Sequence, residues 1–207
     1  MNNKINGILS QISPGDVIAF SGNGLDAKII QWFTRSPYSH VAIVLETEYL
    51  NQQCQDILIA ESTSYTALLD FKGQKRLMGV QVHWLSHWLD AYKACGRAWW
   101  FPLKSKLSYD RISEMQSWLW ELYDSHTPFA VGKSIVSWLA RNKYSNVETN
   151  LKSSNTSPSF FCSEFVTKAL QVAGIIDPKL NPATQTPKDL MNIECFQEPT
   201  LILPIDS

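Results

Sequence analysis

Cys162 sits in the run Ser159-Phe160-Phe161-Cys162-Ser163-Glu164-Phe165-Val166, where a polar stretch gives way to two aromatics and then to a helical pattern. A thiol at a helix N-terminus feels the positive end of the helix dipole and the free first-turn N–H groups, which favour the nucleophilic thiolate. The same amides can hold the oxyanion of an acyl-transfer intermediate, so one position supplies a nucleophile and part of an oxyanion hole. A cysteine taken alone is more often a small buried hydrophobe. His40 changes that balance: it heads the apolar run HVAIVLE after Ser36-Pro37-Tyr38-Ser39, where an imidazole needs a polar partner if it is buried. Glu164, two residues beyond Cys162, points away from it on a helix and is read as a first-turn carboxylate that suits the dipole. His83 and His87 in HWLSH have the i, i+4 spacing of a helical metal pair, but no Glu intervenes and the preceding GVQV alternation favours a strand. No metal or cofactor is assigned, and His126 has no partner identifiable from sequence.

The elements that must position these groups follow from local pattern. Ser13-Pro14-Gly15-Asp16 is a turn signal, and the apolar run after it reads as a buried strand over 17–20. Gly22-Asn23-Gly24 breaks the chain, and Leu25, Ile29, Ile30 and Phe33 fall on the stripe of an amphipathic helix that ends before Pro37. HVAIVLE from His40 and DILIAES over 56–62 form an antiparallel hairpin. A midpoint near Asn51 places His40 opposite about position 62 and Glu61 close to the histidine, although a slip of one residue would turn Glu61 to the other face. GVQVHWL over 79–85 alternates like a strand, 86–94 reads as a short helix and 97–103 as a strand. Residues 108–123 form a clearer helix, with Ser108 as cap and Ile112, Met115, Leu119 and Leu122 on one stripe. A helix over 131–140, a polar connection over 142–159, a helix over 162–172 closed by Gly174, and a short helix with Thr186 as cap and Pro187 at its first position complete the reading. Trp99, Trp100, Trp118, Trp120 and Trp138 are read mainly as core, with an apolar groove as the alternative.

The composition bounds what such a site could serve. The chain has 207 residues, 44% of them apolar, which fits a single domain spanning 1–207, the stretch 72–157 being the least readable. Eighteen basic against nineteen acidic residues give a net charge of -1, so no nucleic-acid partner is expected. Cys54, Cys95, Cys162 and Cys195 show none of the two-residue gaps of zinc or redox motifs. The first residues lack the apolar core of a secretory leader, and no run approaches the roughly 18 apolar residues of a membrane span, so a cytoplasmic protein without an integral membrane segment is expected. An effector delivered without a leader would read the same way. The sequence assigns no oligomeric state.

Pro14-Gly15-Asp16-Val17-Ile18, then Ser39-His40-Val41-Ala42-Ile43-Val44, then Glu61, then Phe161-Cys162-Ser163-Glu164-Phe165-Val166 resemble the circularly permuted branch of the NlpC-type, papain-like cysteine peptidases, in particular its YiiX-like group. The resemblance covers roughly 13–65 and 158–192. It implies an α+β permuted papain-like fold, an antiparallel sheet packed against helices with the nucleophile at a helix N-terminus. It also implies Cys162 as nucleophile, His40 as base and acid, and Glu61 as the group that orients the imidazole. The expected activity is cleavage of an amide bond, in a cell-wall peptide or an N-acyl amino acid, through a thioester. Lipid acyl transfer or phospholipase action, as in lecithin:retinol acyltransferase-like relatives, is the alternative, although those typically carry a second histidine where Glu61 stands. A catalytically silent binding protein is the third reading. Many members carry a tyrosine with a nearby aspartate upstream of the nucleophile, where this chain reads Thr127-Pro128-Phe129-Ala130. Phe129 lacks the hydroxyl and Tyr38 is read as a packed aromatic, so the Cys162 amide is the one oxyanion donor assigned.

Overall fold

The computed structural model describes residues 7–51, 54–94, 96–130 and 159–203. Its elements in chain order are β1 (Val17–Ser21), α1 (Leu25–Thr34), β2 (His40–Asn51), β3 (Cys54–Thr63), β4 (Gly79–Trp84), α2 (Leu85–Tyr92), β5 (Arg97–Phe101), α3 (Tyr109–Asp124), α4 (Cys162–Val172), α5 (Pro187–Met191) and β6 (Thr200–Leu203). The strands form one antiparallel sheet in the order β4-β3-β2-β1-β5-β6. This is the mixed α+β architecture expected. The helix read over 131–140, most of the connection after it, Trp138 and Cys95 lie outside the described residues.

The central strands are continuously apolar because helices cover both faces of the sheet. Val17, Ala19, Val41, Ile43, Leu58 and Ala60 pack on one face against Met115 and Leu119 of α3, Phe165 and Val166 of α4, and Leu190 of α5. Ile18, Phe20, Ala42, Val44, Ile57 and Ile59 point to the other face, against Leu85, Trp88 and Leu89 of α2. At about 25 cal/mol per Å2 of buried apolar area, this two-sided burial is the main stabilising term of the fold.

Two local expectations are corrected, and one strand is added. The apolar stripe of α1 faces outward: Leu25 is 81% and Trp32 75% exposed, with Ile29 and Phe33 also exposed. The helix instead hangs from the sheet through Gln31, whose amide donates to Ser21 Oγ and the Gly22 carbonyl. Ser108 occupies the cap position of α3, but its side chain makes no capping hydrogen bond. β6, for which no pattern was read, forms by pairing with β5.

The turn before β1 does more than reverse the chain. Asp16 is buried, and its carboxylate accepts from Trp100 Nε1 at 2.9 Å, the Leu103 amide at 2.9 Å and the Ser13 amide at 3.0 Å, tying β1 to the end of β5. Burial raises its pKa, and those three hydrogen bonds offset part of the rise. Asp16→Ala would strand buried donors and is expected to cost about 3 kcal/mol, read as a lowered urea midpoint with an unchanged slope.

The β2–β3 hairpin closes at Asn51 opposite Cys54 and slips by one residue between Tyr49 and Asn51, then again between Val44 and Glu46. One slip would have turned Glu61 away from His40; two restore the face. Beyond them Ile43 pairs with Ala60, and continuing that register sets His40 opposite Thr63, one residue from the expected position. Glu61 thereby becomes a diagonal, same-face neighbour of His40.

Candidate functional site

His40 opens β2, and Cys162 opens α4 on the other side of the sheet. Ser62 Oγ donates to the Phe160 carbonyl at 2.7 Å, and Ser163 Oγ donates to the Gln185 carbonyl at 2.6 Å. These bonds pin both flanks of Cys162, and the Phe161 amide donates to Glu164, the first-turn role read for that carboxylate. The start of α4 is thus held against β3, which sets the Cys162 thiol beside the imidazole of His40 on one cavity wall, close enough to raise the histidine pKa. His40 Nε2 meets Glu61 Oε2 in a short ion-pair contact. With Nε2 so engaged, Nδ1 is the nitrogen left for sulfur. The three residues singled out from sequence are brought together.

Electrostatics follow from the packing. The His40 side chain is 14% exposed and that of Glu61 fully buried. Burial alone would lower the histidine pKa; the Glu61 charge and the hydrogen bonds its protonated ring donates to Glu61 and Cys162 outweigh it and push the value up to about 10. His40 therefore holds its proton at neutral pH beside the sulfur.

Glu61 rests on residues the sequence reading passed over. Trp88 Nε1 of α2 donates to Glu61 Oε1 at 2.6 Å, and the Trp88 ring stacks on His40 at 5.9 Å between centroids. Gln81 pairs with Glu61 across β3 and β4, and His83 Nε2 lies 3.4 Å from Glu61 Oε1. Their signal was present: the alternation of GVQVHW puts Gln81 and His83 on one face, and pairing β4 with β3 makes it the face of Glu61. His83 and His87 are not a helical pair, since His83 lies on β4 and His87 is exposed on α2. His126 does have a partner, Arg76, at 2.7 Å.

A cavity of about 350 Å3 opens beside Cys162 and His40. Its walls are mainly apolar, from Ala27 and Ile30 of α1, Tyr65, Trp88, Phe129 and Phe161, with Asn23, Ser39 and Thr63 at a polar margin. The groove tryptophan is therefore Trp88; Trp100 is core, and Trp99, Trp118 and Trp120 pack at the core's edge. Phe129 reaches the wall because residues 127–129 run against β4, with the Val80 amide donating to the Thr127 carbonyl at 2.8 Å. Gly79 makes this approach possible: its φ is +154°, and a Cβ there would collide with the Thr127 carbonyl. Tyr38 is a packed aromatic, edge-on to Trp99 and Phe101.

No family model matches the chain, and no curated protein matches it. Among solved structures, the metalloprotein yiiX of Escherichia coli O157:H7 (DUF1105) is similar in fold, with a TM-score of 0.53 at 16% identity, over 90% of this chain and 96% of that one. The architecture is therefore YiiX-like. Among the described residues no helix is long and apolar enough to cross a membrane, and no group of three or more His, Cys, Asp or Glu side chains is placed to hold a metal ion.

Proposed function

We propose that the protein is a thiol hydrolase of the permuted papain type, related to the NlpC-type peptidases, that cleaves an amide bond through a thioester on Cys162. The observation carrying this reading is the contact chain Cys162–His40–Glu61 at the wall of an apolar cavity. The Cys162 sulfur, its proton already held by His40, attacks the carbonyl carbon as the thiolate, and the oxyanion rests on the Cys162 amide at the start of α4. His40 returns the proton to the departing amine. It then takes one from water, which attacks the thioester; collapse releases the acid and expels the sulfur as thiolate, restoring the starting pair with protonated His40. Glu61 holds the ring and balances the imidazolium.

The wall composition bears on the substrate. Ala27, Ile30, Trp88, Phe129 and Phe161 suit an apolar acyl group better than a charged peptide, which favours an N-acyl amino acid over a cell-wall peptide. The same wall supports the second reading, acyl transfer from a lipid, which differs only in donor and final acceptor. Acid-quenched intact mass spectrometry separates them: N-acyl amino acids and phospholipids of short, medium and long chain are offered in turn, and an acyl adduct on Cys162 is sought. An adduct from the N-acyl amino acids supports hydrolysis; one from phospholipids alone favours the lipid reading. No adduct with any acyl donor sinks the thioester mechanism. Ala27→Trp should lower kcat/KM for the longest accepted acyl chain by about ten-fold or more while leaving alkylation of Cys162 by iodoacetamide unchanged.

The yiiX protein is described as a metalloprotein. The donor set here does not suit a metal. The carboxylate oxygens of Glu61 are taken up by His40, Trp88 and His83, and both ring nitrogens of His83 by Leu69 O and Gln81 Oε1, leaving no converging lone pairs. No step is assigned to a metal.

A further inference from the structure

His83 is 1% exposed, and the partners of its ring leave no choice of hydrogen positions. Nδ1 lies 2.9 Å from the Leu69 carbonyl, which can only accept, so Nδ1 carries hydrogen. Nε2 lies 3.0 Å from Gln81 Oε1. The orientation of that amide is fixed, because Gln81 Nε2 donates to the Tyr65 carbonyl at 3.2 Å and the Leu77 carbonyl at 3.0 Å; reversing it would set an oxygen against two oxygens. The atom facing His83 is thus an acceptor, and Nε2 also carries hydrogen. A ring with hydrogen on both nitrogens is an imidazolium.

A buried cation needs a counter-ion, and Glu61 Oε1 lies 3.4 Å from Nε2. Around His83, Glu61 on β3 is the charged group in contact, and His40 on β2 lies beyond it. Trp88 of α2 packs edge-on at 6.0 Å and contributes no charge. We propose that His83 is a doubly protonated counter-ion of Glu61, making the row Cys162–His40–Glu61–His83, fully buried at its Glu61–His83 end, alternate in sign and sum to zero. Without that second cation, a thiolate, an imidazolium and a carboxylate would leave one uncompensated negative charge in the protein interior, which disfavours ionised sulfur. His83 is then a positioning residue for the pair. This functional half rests on the reading of Cys162 and His40 as a catalytic pair; the protonation of His83 does not.

The experiment has two arms. In protein labelled with 15N-histidine at pH 7.5, with the His83 signals identified by their loss in His83→Gln, both ring nitrogens should resonate as hydrogen-bearing. A nitrogen with the shift of a bare imidazole lone pair overturns the proposal; should His83→Gln fail to fold, the His83 signals are those that survive in each of His40→Ala, His87→Gln and His126→Gln. In the second arm, His83→Gln should slow alkylation of Cys162 by iodoacetamide at pH 7.5 by about ten-fold and move its rate–pH profile to the alkaline side, with the circular dichroism spectrum retained. An unmoved profile removes His83 from the chemistry. Failure of the wild type to alkylate at Cys162 would instead sink the catalytic reading, while the nitrogen shifts would still decide the state of His83.

Discussion

Iodoacetamide at pH 7.5 is expected to alkylate Cys162 and to spare Cys195. The two described free thiols are both partly exposed, so access alone does not separate them. Their electrostatic settings do. Burial pushes the Cys195 thiol up to about 11, and neighbouring Lys104 offsets only part of this, so about one sulfur in three thousand is ionised at pH 7.5. Cys162 begins α4 and touches a histidine that keeps its proton at that pH. Peptide mapping after brief labelling should find one dominant site, and His40→Ala should slow it and change its rate–pH profile. Label falling mainly on Cys54, Cys95 or Cys195, or a profile indifferent to His40→Ala, would end the paired-site proposal. Cys162→Ala should lower turnover of any accepted amide by about four orders of magnitude or more, with an unchanged unfolding curve.

Glu61→Gln carries the second large effect. The carboxylate charge is what most strongly opposes the burial of His40, so its removal should bring the ring pKa down from about 10 by several units, toward or below the ordinary 6.5. Turnover near neutrality should fall by about a hundred-fold or more, because the imidazolium loses its balancing charge. Histidine ring NMR across pH reads the first effect directly; a titration in Glu61→Gln within half a unit of wild type would contradict the assigned cause. The linkage to stability has a definite sign. A folded-state histidine pKa above the unfolded value contributes stability that is fully present below about pH 6.5 and is lost as pH rises through about 10. The urea midpoint of the wild type should therefore decline from pH 6.5 to 10 more steeply than that of Glu61→Gln.

The residues of the contact chain were readable because each stands at an element boundary with a strong local pattern. His40 begins an unbroken apolar strand, and Cys162 begins a helix closed by Gly174, so placing those elements placed the side chains. Glu61 was readable only as a neighbour, since its alignment with His40 depends on two bulges whose net effect no hairpin rule supplies. Trp88 goes unread, and His83 is weighed only as half of a metal pair, because their contribution depends on β4 pairing with β3, a long-range choice that alternation in 79–84 does not encode. The outward face of α1 inverted an otherwise sound periodicity argument: Leu25, Ile29 and Phe33 show the helix but not which side meets the protein. Asp16 was seen as a turn residue, and its bonds to Trp100 and Leu103 join segments more than eighty positions apart.

The layout of the sheet also sets a schedule. His40 and Glu61 lie on adjacent strands β2 and β3, whereas the Cys162 sulfur arrives on α4, about a hundred residues later in the chain. During synthesis the hairpin can form with its imidazole–carboxylate pair already in place, while Cys162 is still within the ribosome or newly emerged. The sulfur meets His40 only when α4 seats on the finished sheet, through bonds such as that from Ser62 to the Phe160 carbonyl. On the proposed reading, reactive sulfur would be a property of the folded chain, absent from partly made or partly unfolded molecules.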